Sequence, residues 1–130
     1  MTRPDLDFVV QVLSQYMHDP KQSHLEAALR VVKYIKGTPG VGLFMPSSGG
    51  NKLTSYCDSD WGSCIASRKS VTGYVVKFGD TLVSWKSKKQ KTVSRSSAEA
   101  EFRSMASTVA QITWLFGLFS ELGITVATPF

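Results

Sequence analysis

The spacing of apolar residues changes twice along the chain, and these two changes limit the folds open to it. Leu6, Val9, Val10, Leu13 and Met17 recur at helical intervals with Pro4 near their start, which predicts a first helix over Arg3 to Met17. Asp19 as cap and Pro20 at the first position open a second helix. Its stripe of Leu25, Ala28, Leu29, Val32 and Ile35 ends at Gly37, before Pro39. Beyond Gly40 the helical period disappears. Val41 to Met45 is a short apolar run, PSSGGN over 46–51 is a turn, and Leu53 to Asp58 reads as a strand. Val71 to Phe78 and Leu82 to Trp85 are two more strands, joined by Gly79-Asp80, and such short connections imply an antiparallel meander. The helical period returns at Ser96, which with Glu99 three residues on has the spacing of a capping box. It opens the longest helix, Ser97 to about Leu122, closed by Gly123. Phe102, Met105, Val109, Ile112 and Phe116 are its expected core stripe. Ile124 to Val126 then reads as the start of a fourth strand.

The expected fold class is therefore α+β: a helical hairpin, then a three-stranded antiparallel meander with one long helix packed on it. A chain of 130 residues, 42% hydrophobic, suffices for one ordinary core. It contains no apolar run near the roughly 18 residues of a membrane span. The opening MTRPDLDF carries acids where a signal peptide is apolar. The expectation is an intracellular chain, cytoplasmic or nuclear, neither secreted nor membrane-bound. A formal charge of +5 favours a polyanionic partner. Cys57, Cys64, His18 and His24 are too few and too scattered for zinc-site spacing, and the two thiols read as structural.

Chemistry concentrates in the acids. In SYCDSDWG, Asp58 and Asp60 sit one residue apart, so on a strand they share a face and repel. Asp also starts turns, which is the plainer explanation. Glu101 falls on the edge of the long helix's apolar stripe, where an acid reaches solvent, pairs with a lysine or binds a cation. A strand-end aspartate and a first-turn glutamate on a helix packed against that strand are the hard oxygen ligands that Mg²⁺ takes.

The order YCDSDWGSC, SRKSVTGYVV and VSWKSKKQKTVSRSSAEAEFRSM resembles the ribonuclease H domain of copia-type retrotransposon polyproteins, especially those of plants, across about residues 53 to 122. Thr2-Arg3-Pro4-Asp5-Leu6 and HLEAALRVVKYIKGTPGVGLF resemble the segment that joins reverse transcriptase to that domain. The resemblance implies a helical connection over 1–40 and an incomplete ribonuclease H-like domain over 41–130. It places the family's first metal-binding aspartate at Asp58, its catalytic glutamate at Glu101 and a further metal-site acid at Asp60, with Phe102 where the family has tyrosine. The implied chemistry is hydrolysis of the RNA strand of an RNA–DNA hybrid, with two Mg²⁺ ions about 4 Å apart activating water and stabilising the leaving oxygen. Lys86, Lys88, Lys89, Lys91 and Arg95, just before the long helix, would contact phosphates; their plainer reading is a solvated basic loop. Trp85 reads as strand packing.

The family has a later strand ending in an aspartate of a DN motif, then a histidine-rich segment. Here no Asp follows Asp80, and the later acids are Glu99, Glu101 and Glu121. Glu121 lies about 30 Å along the helix from Glu101 and cannot complete a site. The expectation is a truncated ribonuclease H-like fold with an exposed sheet edge, a fragment of the polyprotein, catalytically inactive. Its expected partners are RNA–DNA hybrid or other nucleic acid and the rest of the polyprotein. A non-catalytic nucleic-acid-binding or protein-interaction remnant is the alternative.

Overall fold

The computed structural model of the chain describes residues 3–127 and divides it into two units, Met1–Leu43 and Phe44–Phe130. In the first, a 3-10 turn at Pro4–Leu6 leads into α1 (Asp7–Ser14), and α2 spans Gln22–Gly37. The first helix is therefore shorter than its apolar period suggested, ending in turns after Ser14. The second begins at Lys21 rather than at Asp19-Pro20. There the Lys21 amide donates to His24 Nδ1 at 3.1 Å, and the His24 ring stacks on Tyr16 with centroids 4.1 Å apart. Arg3 fastens the start of the unit to its end: it chelates the Asp5 carboxylate at 2.8 Å and donates to Thr38 O and Oγ1, both at 3.0 Å. Tyr34 Oη donates to the same carboxylate. Eight residues of α1 cannot cover sixteen of α2. Leu6 is consequently the one buried side chain described in this unit, and Leu25, Leu29, Val32 and Ile35 of the expected stripe are exposed.

Val41 to Met45, which spans the boundary between the units, and the loop after it form no strand, contrary to the apolar run's suggestion; Phe44 and Met45 are exposed. The second unit holds the sheet. Three strands follow, β1 (Leu53–Asp60), β2 (Val71–Phe78) and β3 (Thr81–Lys89), antiparallel in the order β1-β2-β3. The β2–β3 turn has Gly79 at φ +56, and a Cβ there would sit 2.5 Å from Gly50 O. Only glycine fits a left-handed turn position pressed against another backbone. β3 runs past Trp85, so Lys86, Lys88 and Lys89 belong to a strand rather than to a basic loop.

α3 (Ser97–Glu121) is capped as its sequence specifies: Ser96 Oγ accepts from the Glu99 amide at 3.1 Å, and Gly123 follows the helix at φ +73. It lies on one face of the sheet, where Leu53, Tyr74, Val76, Ile112 and Leu115 form the core and Phe78 meets Phe119 edge to face. The buried side of the helix is Ala100, Ser104, Thr108, Ile112 and Leu115. Of the expected stripe only Ile112 is buried; Phe102, Met105, Val109 and Phe116 are exposed. Small side chains let the first half of the helix lie close to the strands. Ser104, wholly buried, donates to Asp58 O at 2.8 Å and lies 3.4 Å from Gly73 O. Bulk enters only further along. After α3 the chain returns to the start of β1: Ala127 and Lys52 form a single parallel bridge, with the Ala127 amide donating to Asn51 O at 2.8 Å. Ile124 to Val126, expected to begin a fourth strand, forms none; among the described residues the returning chain meets the β1 side of the sheet at this one bridge.

Candidate functional site

Strand alternation decides where the acids of β1 point. Leu53 is buried under α3, and the unbroken pairing Leu53↔Phe78 to Asp60↔Val71 keeps Ser55, Cys57 and Ser59 on that same face. Asp58 and Asp60 therefore turn to the opposite face, beside Gly73 and Val71. A Cβ on Gly73 would meet nothing within 4 Å, so this face is open at Asp58. The Asp58 backbone lies directly beneath α3, held by Ser104, and Glu101 is three residues before Ser104 on the same helix. The Asp58 main chain is thus brought beneath α3, while its carboxylate and that of Asp60 turn away from the helix that carries Glu101. Asp58, Asp60 and Glu101 are all exposed.

Carboxylate oxygens are the right donor type for Mg²⁺, but the ion needs several converging ligands. Among the described residues no three His, Cys, Asp or Glu side chains gather as a metal would require. The acids present do not by themselves fit a pair of ions.

What joins the acid-bearing strand to the acid-bearing helix is an amide. Gln90 Nε2 lies 3.0 Å from Thr72 Oγ1, 3.0 Å from Ala100 O and 3.3 Å from Ser59 Oγ, touching β2, α3 and β1 at once. Its Oε1 accepts from Ser94 Oγ at 2.9 Å, and Ser94 O accepts from Trp61 Nε1 at 3.1 Å. This bracket touches β1 at Ser59, between Asp58 and Asp60 in sequence, and α3 at Ala100, the residue before Glu101. Sequence reading had no signal for it beyond a lone glutamine in a basic run. At the helix start, the Arg95 amide and then the Arg103 guanidinium hold the Glu99 carboxyl below its usual range, so Glu99 serves the cap.

The five basic candidates separate. Lys86 and Lys88 pair with Tyr74 and Thr72, which places them on the α3 face. Together with Lys91, Thr72 and Ser107 they line a shallow depression of about 170 Å³. Lys89 turns to the other face, its Nζ 3.6 Å from Cys64 Sγ, though it also borders that depression. Arg95 does not line it and stands exposed before the helix cap. The Ser67 hydroxyl at 3.0 Å, with a smaller contribution from Lys89, brings the Cys64 thiol down to about 7.

No protein-family model and no solved structure matches the chain. Among curated proteins it is 44% identical over 128 residues to the retrovirus-related Pol polyprotein from transposon RE1 of Arabidopsis thaliana and 45% identical over 128 residues to that from transposon RE2. Each alignment covers 98% of this chain and 9% of the polyprotein. A secreted RxLR effector protein, number 161, of Plasmopara viticola is 42% identical over 115 residues, covering 88% of this chain and 81% of the effector. The chain's homologues at about 44% identity are copia-type retrovirus-related Pol polyproteins, and the chain spans about a tenth of the length of those it matches.

Proposed function

We propose that the second unit is the first part of a ribonuclease H-like domain, that the first unit is the connection from reverse transcriptase, and that the chain contacts an RNA–DNA hybrid through its basic depression. The observation that carries this reading is the path β1-β2-β3-α3 followed by a return parallel to β1 at Lys52 and Ala127, with the acid pair on β1 and Glu101 on the first turns of α3. That path leaves a slot for a further parallel strand along the edge of β1, beneath a helix with an uncovered apolar side. In this reading the polyprotein's remaining chain completes both the sheet and the carboxylate set. Residues 3–127 hold nucleic acid but do not cut it, because no three acids gather among them.

The test is a pair of measurements on the purified chain. A labelled RNA–DNA hybrid binds with a logarithmic salt slope of roughly −2 to −3, as about three phosphate contacts require, and Lys86→Ala with Lys88→Ala and Lys91→Ala flattens it. Incubation with Mg²⁺ leaves the RNA strand whole. Sustained Mg²⁺-dependent cleavage abolished by Asp58→Asn refutes the inactive reading, and no binding at low salt refutes the nucleic-acid reading altogether.

A further inference from the structure

We propose that the cleft between Trp61 and Val93 is a nucleotide subsite, in which one unpaired base stacks on the Trp61 ring and its phosphate pairs with Arg68. The inference rests on the nucleic-acid reading above and adds to it a site, a ligand class and two residues. Trp61 follows β1 immediately and is 54% exposed, so burial does not hold its ring. One hydrogen bond fixes its edge, from Nε1 to Ser94 O, and Ser94 is itself buried and tied through Gln90 to β1, β2 and α3. An aromatic face set on a rigid frame and left open to solvent is the form of a stacking platform, whose worth comes from the base's π-face rather than from its sequence.

The remaining walls suit the rest of a nucleotide. The cleft holds about 370 Å³, at the small end of ligand sites, and is lined by Trp61, Gly62, Arg68, Val93 and Ser94. Arg68 is the one charged residue among them, and no acid lines the cleft. The loop that presents it is tightly tied: the Gly62 amide donates to the buried Ser70 Oγ at 3.1 Å, and the Arg68 amide donates to Cys64 O at 2.6 Å. Arg68 adopts φ 53, a conformation that long side chains rarely take. Val93, about half exposed, supplies the apolar wall across from Trp61. Position gives the cleft its use. Trp61 follows Asp60 directly, and Ser94 lies two residues before the cap of the helix that carries Glu101. A nucleotide seated here lies beside the end of β1 that carries Asp58 and Asp60.

The experiment measures binding of a fluorescently labelled single-stranded DNA dodecamer to the full chain, beside the same length of abasic backbone. Trp61→Ala is expected to weaken the base-bearing strand roughly 5- to 150-fold, the range of one lost stack, and to leave the abasic strand unchanged. Trp61→Phe, which keeps a ring but loses the Ser94 bond, retains most of the affinity. Arg68→Ala lowers the salt slope by about 0.7, one single-strand phosphate. Circular dichroism and urea midpoints verify that each variant is folded. The inference is overturned if Trp61→Ala weakens both ligands equally, if Trp61→Phe loses as much as Trp61→Ala, or if Trp61→Ala changes nothing. In that last case a loss of hybrid binding on removing Lys86, Lys88 and Lys91 leaves the wider nucleic-acid reading standing. Absence of binding to hybrid and single strand alike overturns both.

Discussion

Substituting Ser104 by leucine tests which side of α3 carries the fold. Ser104 is wholly buried, and its hydroxyl reaches Asp58 O at 2.8 Å. Leucine there must displace the helix from the sheet, which costs about 1–3 kcal/mol, and it leaves a strand carbonyl without its donor, about 1 kcal/mol more. Phe102 lies about 160° around the helix and is 66% exposed, so Phe102→Ser should change stability by no more than about 0.5 kcal/mol. With a urea slope near 1 kcal/mol/M for a unit of this size, the midpoint falls by roughly 2–4 M for Ser104→Leu and by about 0.5 M or less for Phe102→Ser. Trp61, Trp85 and Trp114 all lie in the second unit, so tryptophan fluorescence follows its unfolding alone. The reversed order, with Phe102→Ser severe and Ser104→Leu mild, would mean that the helix faces the sheet with its bulky stripe, and the packing described above would be wrong.

Gln90→Leu keeps the size of the side chain but strips Thr72, Ala100 and Ser94 of a partner, so stability should fall by about 2–3 kcal/mol; an unchanged urea midpoint refutes the bracket. Arg3 holds the Asp5 carboxyl down to about 2, with Tyr34 assisting. A depressed carboxylate stabilises the folded unit fully above its ordinary value near 3.8, and this contribution disappears as pH falls through about 2. The carboxyl carbon NMR shift of Asp5 should titrate near 2 and move up in Arg3→Ala. In a Cys57→Ser background, alkylation of Cys64 should rise with a midpoint near 7, and Ser67→Ala or Lys89→Ala should each shift that midpoint upward.

Local signals carried much of the architecture. The span of β2, the Gly79-Asp80 turn, the Ser96 cap and the Gly123 stop were readable because each depends on residues within a few positions of one another. The buried face of α3 was not readable, because two stripes with the same helical period run along it. Hydrophobicity favours Phe102, Met105 and Val109, whereas a helix lying close to strands needs Ala100, Ser104 and Thr108. The C-terminal half of β3 was hidden for a related reason: KSKK has the composition of a loop, and only pairing with Val71 to Tyr74 makes it a strand. Asp58 and Glu101 were identifiable as candidates, and Asp58 was placed on a strand with Asp60 on its face. What sequence could not supply was the strand's orientation under the helix, fixed by Leu53. Gln90's bonds to Ser59 and Ala100 and the Trp61–Ser94 bond join residues 10 to 33 positions apart, and no local pattern announces them.

The meeting of Ala127 with Asn51 has a consequence for engineering and for descent. An element whose entrance and exit stand side by side can be spliced into a host polypeptide, or excised from one, with little disturbance to either. A circular permutant that fuses those two points through a short linker and opens at the Gly79-Asp80 hairpin would keep every strand neighbour while moving the termini only to the adjacent turn at the same end of the sheet.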